Sequence, residues 1–369
     1  MKIAYVTINI DTKIINGGVG NKIRSQVSIW ESRGHSVTLF ALTPGPVSLP
    51  FARQFTFNTS SNVFLLKFIL REISRSLKLM ELISAVRAYQ PDVIYLRFGL
   101  FTFPLQNLFK VAPTVLEVNS NDLDEYRSRG MFFYMLNRFT RDILFSQCAG
   151  WVATSHELAN LKENRRHKKP VVVISNGIEL DQYVPLEPSQ NETPVLSLVG
   201  SPGMNWHGVD KLFFLAEQYP SLTINIIGYQ RSDFDIPIPS NVYLHGYLPK
   251  DEIRKILSTT DVVFGTLALH RKKMGEASPL KVREALGYGI PVILAYDDTD
   301  LMDIKSDYVL SLPNEEDNIF KNAELINDFA FRVMGKRIDR AVIVNRIHQQ
   351  VKEESRIAFF VDVIKSARS

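Results

Sequence analysis

Segments of strand composition alternate with segments of helical periodicity from one end of this chain to the other. That alternation limits the fold more than any single residue does. Short apolar runs rich in β-branched residues fall at 2–8, 36–41, 92–97, 114–118, 150–154 and 170–174, with stretches between them long enough for crossovers. The first such stretch has a helical pattern from about Gly20 to Arg33-Gly34-His35. The pattern resumes at 195–200, 223–228, 242–245, 261–265, 291–295 and 308–310. Strands joined by helical crossovers run parallel, and a parallel sheet is covered on both faces. Between the two series, 184–194 (VPLEPSQNETP) holds three prolines among polar residues and reads as a linker. The expected architecture is α/β: two Rossmann-like domains with parallel sheets, 1–182 and 195–345. A linker at 183–194 joins them, and helices at the C-terminus follow, the last (346–369) packing back on the first domain. Ligands of such sheets bind beyond the carboxyl ends of the strands, so the expected site lies in the cleft between the domains.

At 369 residues the chain can fill two cores. No run of about 18 apolar residues occurs, so no spanning helix is expected, and MKIAYVTINI reads as a first strand, without the cleavage site of a secretory signal. The single cysteine, Cys148, excludes an intramolecular disulfide and fits a reducing cytoplasm. Its apolar surroundings, FSQCAGWVAT, suggest a buried small hydrophobe rather than a nucleophile. The net charge is +4, but the basic residues cluster. Residues 62–89 carry Lys67, Arg71, Arg75, Lys78 and Arg87 against Glu72 and Glu81, and 162–169 reads KENRRHKK. Such patches suit an anionic membrane surface or an anionic acceptor, and they equally suit solvated faces. Nucleic acid is not an expected partner, since the charge is modest and no nucleic-acid module is present.

The most informative local stretch is 275–293, GEASPLKVREALGYGIPVI. Ser278 is placed as an N-cap with Pro279 at the first helical position. Leu280, Val282, Ala285 and Leu286 make an apolar stripe, and Gly287 and Gly289 close the helix ahead of a strand. The helix start offers free N–H groups and a positive dipole end, with Lys281 in the first turn, which suits a phosphate or diphosphate. Glu276 and Glu284, with seven residues between them, can accept hydrogen bonds from hydroxyls on either side. A nucleotide sugar has that layout. An ordinary capped surface helix has the same residues.

This segment resembles the donor-site motif of GT-B glycosyltransferases of family 4, in which Glu, seven residues and Glu precede a small-residue turn and a Pro-Val strand. It is most similar to the branch with Ser-Pro-Leu-Lys at the helix start. The resemblance spans nearly the whole chain, stronger in the second half and looser over about 44–170. It implies a GT-B fold and sugar transfer from a nucleotide sugar with retention of configuration. The acceptor would be a glycan or lipid-linked glycan, as in bacterial surface polysaccharide or lipopolysaccharide assembly. It implies no cofactor and no obligatory metal, and Asp297-Asp298 reads as a loop pair without partner ligands. The expected location is cytoplasmic, peripheral on the inner face of the plasma membrane.

By the same resemblance Glu276 binds the transferred sugar and Glu284 the ribose, while Ser278, Leu280 and Lys281 hold the diphosphate. Gly17 and Gly18, in Asn16-Gly-Gly-Val-Gly20, belong to a loop projecting towards donor and acceptor; alone, that loop is equally a tight βα turn. Gly246 and Tyr247, in His245-Gly-Tyr-Leu-Pro249, face the base. Asn119 stands where many relatives carry a His that contacts the sugar, and Glu117 and Arg97 are placed towards the acceptor. Asn176-Gly177 looks like the family's turn before the linker. Two departures matter. Ser201 and His207 replace an Arg and a Lys that neutralise the diphosphate, so Lys281, the helix dipole and the run Arg271-Lys272-Lys273 are expected to carry more of that charge. Two other readings stay open: a catalytically silent GT-B subunit bound to a partner enzyme, and a GT-B nucleotide-sugar epimerase. A dinucleotide oxidoreductase is disfavoured, because the G-x-G-x-x-G spacing is absent.

Overall fold

The computed structural model describes residues 1–8, 18–45, 51–57, 64–304 and 306–368, with backbone alone for 64–68. The chain divides into two compact units, Met1–Ser175 with Gln349–Ser369, and Asn176–His348.

In the first unit the elements are β1 (Lys2–Thr7), α1 (Gly18–Ser32), β2 (Ser36–Pro44), β3 (Ala52–Phe57), α2 (Phe64–Tyr89), β4 (Val93–Arg97), β5 (Thr114–Val118), α3 (Asp122–Arg129), α4 (Met131–Gln147), β6 (Gly150–Ala153) and β7 (Val171–Val173). The seven strands are parallel, in the order β3-β2-β1-β4-β5-β6-β7. Strand interiors show no polar alternation because both faces are covered. Ala4, Val6, Phe40, Leu42, Ile94 and Leu96 face one layer, where Leu79, Leu82 and Val86 of α2 meet Leu144 and Phe145 of α4. Their neighbours Ile3, Tyr5, Leu39, Ala41, Val93 and Tyr95 face the other, built from Ile23, Val27 and Trp30 of α1 and from Phe360 and Val363 of the terminal helix Gln349–Arg368. That helix therefore completes the first sheet's second layer.

One buried carboxylate anchors it. Glu353 accepts from Trp30 Nε1 (2.7 Å) and from Gln349, and pairs with Arg356, whose Nε donates to Tyr95 Oη at 3.1 Å. Both ends of the ion pair are out of water, Glu353 at 0% and Arg356 at 1% exposure.

The second unit contains β8 (Val195–Val199), α5 (Val209–Gln218), β9 (Thr223–Ile227), β10 (Val242–Leu244), α6 (Lys250–Ser258), β11 (Val262–Phe264), β12 (Glu276–Ala277), α7 (Leu280–Gly287), β13 (Val292–Leu294), β14 (Asp297–Asp298), β15 (Val309–Ser311) and α8 (Ala323–Val333). Its main sheet is also all parallel, in the order β10-β9-β8-β11-β13-β15.

Each strand read from the sequence is present, with ends that differ by at most three residues. The strand β3 was not expected. It pairs with β2 alone, and its Arg53 and Gln54 break the apolar pattern that marks the others. The division between units falls at Ser175/Asn176 and His348/Gln349. Residues of the proline-rich stretch bond within the second unit, Leu186 N–H to Tyr288 O (3.0 Å) and Asn191 Nδ2 to Asp261 Oδ2 (2.8 Å). Cys148 is fully buried, and burial pushes its thiol up to about 12.

Removing one partner of a buried ion pair leaves the other charge uncompensated, at a cost of about 3–5 kcal/mol. Glu353→Ala is expected to lower the stability of the first unit by that amount in urea unfolding. A loss below about 1 kcal/mol would show that the apolar contacts alone hold the terminal helix.

Candidate functional site

At the carboxyl edge of the second sheet three loops converge because two glycines let them touch. Gly228 follows β9 with φ +95°, and a Cβ there would fall inside the van der Waals radius of Gly200 O, just after β8. A Cβ on Gly200 would lie 2.7 Å from both His207 Nδ1 and the Tyr229 ring. The third loop joins through Gly228 N–H to Gly246 O (2.7 Å) and Gly246 N–H to Tyr229 O (2.8 Å). Gly246 takes the left-handed conformation, φ +64°, and leaves Tyr247 92% exposed.

The helix α7 starts beside this edge. The structure corrects its expected cap: Pro279, extended, occupies the N-cap position and Leu280, half-buried, is the first helical residue. Ser278 lies one residue too early to cap. Its Oγ accepts the Asn176 N–H (2.8 Å) and its carbonyl accepts Asn176 Nδ2 (2.7 Å), so it ties the helix start to the residue where the second unit begins. Gly287 is still helical, and Gly289, at φ +80°, turns the chain out.

Lys281 is half-buried and reaches back to the end of β8. Its Nζ donates to Val199 O at 3.1 Å, and burial pushes its pKa down to about 7. His207 is buried. Its Nδ1 accepts the Ser201 N–H at 3.3 Å and lies 3.0 Å from Tyr229 Oη, which places its proton on Nε2. Burial, and then the neighbouring Lys281 charge, push its pKa down to about 3. His207 is therefore neutral at neutral pH, and the weak positive charge expected of it is absent.

The basic run is corrected too. Arg271 makes a two-pronged pair with Asp210 (2.9 and 2.7 Å) and a further one with Glu316, and those hydrogen bonds raise its pKa. Lys272 lies 4.8 Å over the Trp206 ring. Their charges are engaged by side chains of neighbouring segments rather than held in reserve.

The two carboxylates bracket α7 as the spacing predicts. Glu276, 6% exposed, stands in β12, which pairs with β14. Glu284, in the last turn of α7, accepts a hydrogen bond from Tyr183 Oη at 2.9 Å, and burial raises its pKa. Tyr183 packs edge-on against Tyr288 and is held by Arg340, which donates to its carbonyl. Asp298, read as part of a loop, stands instead in the short strand β14, 2% exposed and bound to Arg283 (Nη2–Oδ1, 2.7 Å); the same guanidinium reaches Asp300 and Asn176 O.

In the first unit the ends of β4 and β5 carry a closed charge cluster. Fully buried Glu117 pairs with Lys22 (2.8 Å) and Arg97 (3.1 Å) and accepts from Tyr5 Oη at 3.2 Å. Burial alone would raise its pKa, but Lys22, Arg97 and Arg356 outweigh it and hold the carboxyl well below the usual range. Lys22 also donates to Asn119 Oδ1 at 3.0 Å. Arg97, Glu117 and Asn119 thus come together, but around Lys22, and Glu117 is occupied by its neighbours. Gly18 is the exposed first residue of α1; Gly17 lies outside the described residues.

Sequence reasoning missed Lys22, Tyr183 and Arg283. Lys22 had a readable signal, since it falls on the buried face of α1 with Ile23, Gln26 and Val27. Tyr183 and Arg283 had none, because their partners are 101 and 15 residues away.

Residues 16–182 match the model of Glycosyltransferase Family 4. Sucrose-phosphate synthase from Thermosynechococcus elongatus superposes with TM-score 0.69 at 15% identity, covering 99% of each chain. The lipopolysaccharide outer core galactosyltransferase WaaB, in its apo form, gives 0.66 at 14% over 100% of each. Anabaena HepE in complex with UDP-glucose gives 0.62 at 14%, over 98% of this chain and 99% of that one. No curated protein matches by sequence. Two units with parallel sheets of this kind make the GT-B fold of glycosyltransferases. The family match covers 167 of the 369 residues and falls in the first half rather than over the 275–293 motif, and the second half shares the GT-B fold of these structures.

Gly228→Ala forces both a left-handed backbone and the overlap with Gly200, at a cost of at least about 1–3 kcal/mol. It is expected to lower the thermal midpoint by several degrees, whereas Gly275→Ala, whose Cβ meets nothing within 4 Å, leaves it unchanged. Equal midpoints for the two variants would remove the close approach as a constraint.

Proposed function

We propose that this glycosyltransferase moves a sugar, with retention of configuration, from a nucleotide-sugar donor to a glycan or lipid-linked glycan acceptor in bacterial surface polysaccharide assembly. The observation that carries the reading is the α7 start, where Lys281 and the first-turn N–H groups stand between Glu276 and Glu284. Support for the donor class comes from the UDP-glucose bound to HepE, and support for the pathway from the lipopolysaccharide role of WaaB.

In this mechanism the diphosphate lies against the α7 start, where helix N–H groups and Lys281 take up charge as the anomeric C–O bond breaks. No metal is required of the protein for that step. Glu276 accepts hydrogen bonds from the transferred sugar, Glu284 from the ribose, and the backbone at Gly246, beside Tyr247, reads the base edge. Ser201 lines the diphosphate loop, and His207 orients that loop as a neutral acceptor. Within the first unit Asn119, with Arg97 and Glu117 beside it, orders the acceptor. The acceptor hydroxyl attacks on the face the diphosphate leaves, and a departing phosphate oxygen takes its proton.

Glu284→Ala is expected to raise the donor KM at least about tenfold, as loss of a charged hydrogen-bond partner does. Tyr183→Phe, which frees Glu284 to rotate, should raise it about two- to fivefold and leave kcat nearly unchanged. A donor KM unaffected by Glu284→Ala removes that residue from the site. Thermal shifts with UDP-, GDP-, ADP- and dTDP-sugars identify the base, since a bound donor stabilises by mass action.

Lys281 makes donor binding pH-dependent. Its pKa near 7 leaves it largely neutral above pH 8 in the empty protein, while a diphosphate beside it favours the ammonium form. Binding then takes up a proton, and affinity falls above about pH 7 by up to about tenfold per pH unit. Calorimetry in two buffers of different ionisation enthalpy reads the uptake. Lys281→Met should abolish it, and uptake that survives the substitution assigns the proton elsewhere.

A further inference from the structure

The middle of the first sheet ends in a row of polar side chains. Thr7 closes β1, Arg97 closes β4 and Glu117 stands in β5, and the parallel register sets Arg97 opposite Glu117. Val6 pairs with Leu96 one step earlier, so Thr7 and Arg97 follow as neighbours. Side chains alternate between faces along a strand, so all three share the face of Tyr5, Tyr95 and Val115. Lys22 of α1 joins them there through its pair with Glu117.

Charge in this row does not balance. Lys22 and Arg97 both pair with Glu117, while the Glu353–Arg356 pair nearby adds no net charge. Two cations against one carboxylate leave one positive charge. Lys22 donates to the Glu117 carboxylate and to the Asn119 amide oxygen, which holds it as the ammonium although burial works against that. The next acids along the chain, Asp122 and Glu125, are taken by Arg141 and Arg129.

Hydrogen-bond donors are left over as well. Arg97 engages Glu117 through Nη1, and among the described residues its Nε and Nη2 meet no partner; its side chain is 21% exposed. A lysine can only donate, so the Asn119 oxygen is fixed towards Lys22 and the amide N–H groups remain for a ligand. Thr7 is 1% exposed, and its Oγ1 is buried without a hydrogen-bond partner. A buried hydroxyl left unpaired costs free energy that a ligand oxygen would recover. The one carboxylate of the row is meanwhile engaged on both oxygens. The row therefore offers donors and a single positive charge, and no free acceptor.

We propose that this row binds a singly charged oxyanion on the acceptor, either the carboxylate of an acidic sugar or the phosphodiester of a glycan. Arg97 meets it with the free edge of its guanidinium, Asn119 with its amide N–H groups, and Thr7 with its hydroxyl. Lys22 is a positioning residue, since it sets which end of the Asn119 amide faces the ligand. A monoanion neutralises the cluster, whereas a doubly charged phosphate would leave a negative charge uncompensated beside Glu117. The inference rests on the assignment of Arg97 and Asn119 to the acceptor, and it adds the charge that acceptor carries.

Saturation-transfer NMR on the full chain at low salt tests it, with methyl β-glucuronide, dimethyl phosphate and the neutral methyl β-glucoside as probes. At least one anion should bind about tenfold or more tighter than the glucoside, and the tighter of the two identifies the source of the charge. Asn119→Asp keeps an oxygen for Lys22 but cancels the positive charge. It should abolish the preference for the anion and leave the thermal midpoint unchanged or higher. Thr7→Val removes only an unpaired hydroxyl, so it should weaken anion binding about three- to tenfold without lowering the midpoint. Lys281→Met should leave anion binding intact. The proposal is overturned if neither anion outbinds the glucoside, or if the preference survives Asn119→Asp. Loss of the preference in Lys281→Met overturns it too, because the anion would then sit in the second unit. Donor-induced thermal shifts in the same samples report separately: anion binding without any donor shift counts against the transferase reading, and a donor shift without anion preference counts against this site alone.

Discussion

Parallel strands cannot be joined by tight turns, so each connection in both sheets crosses over and returns the chain to the same edge. The carboxyl ends of β8, β9, β10 and β11 consequently open on one side of the second sheet, and their loops meet there. How closely they meet is decided by Gly200 and Gly228, whose backbones touch where any side chain would intrude. That approach brings Tyr229 to His207, the Gly246 turn to Gly228, and Val199 to Lys281. Without it the loops would still exist, but they would not form one surface.

The electrostatics of the two units contrast. In the first, Glu117 answers Lys22 and Arg97 at once, and the buried charges close on one another. In the second, Arg283 is closed by Asp298 and Asp300, and Arg271 by Asp210 and Glu316. Lys281 differs from both arginines: it is half-buried against a carbonyl, its pKa is depressed by burial, and its neighbour His207 is neutral. An amine so placed is the group whose charge an incoming phosphate would restore. Glu284, raised by burial and steadied by Tyr183, is set apart from it at the far end of α7.

Much of the fold was legible because burial on both faces writes strands as short apolar runs. The runs at β1, β4, β5, β8 and β13 could not be solvent-exposed and so could be placed. The edge strand β3 escaped because Arg53 and Gln54 sit in a strand paired on one side. The α7 cap was misjudged by one residue, since Ser278 satisfies Asn176, a partner about a hundred positions away, and leaves Pro279 at the boundary. The domain boundary moved for a related reason. A proline-rich composition marks an irregular segment but does not say which body it bonds to, and here Leu186 and Asn191 bond within the second unit.

By itself the sequence determined the class of fold and the helix start between Glu276 and Glu284, since both depend on short-range patterns of apolar spacing, glycine and charge. Tertiary structure decided which charges remain for chemistry. Arg271 and Lys281 look alike in the chain, but one meets two carboxylates and the other, half-buried, a single carbonyl. A side chain's charge is set by its solvation and its partners in space, and neither is written in its neighbours along the chain.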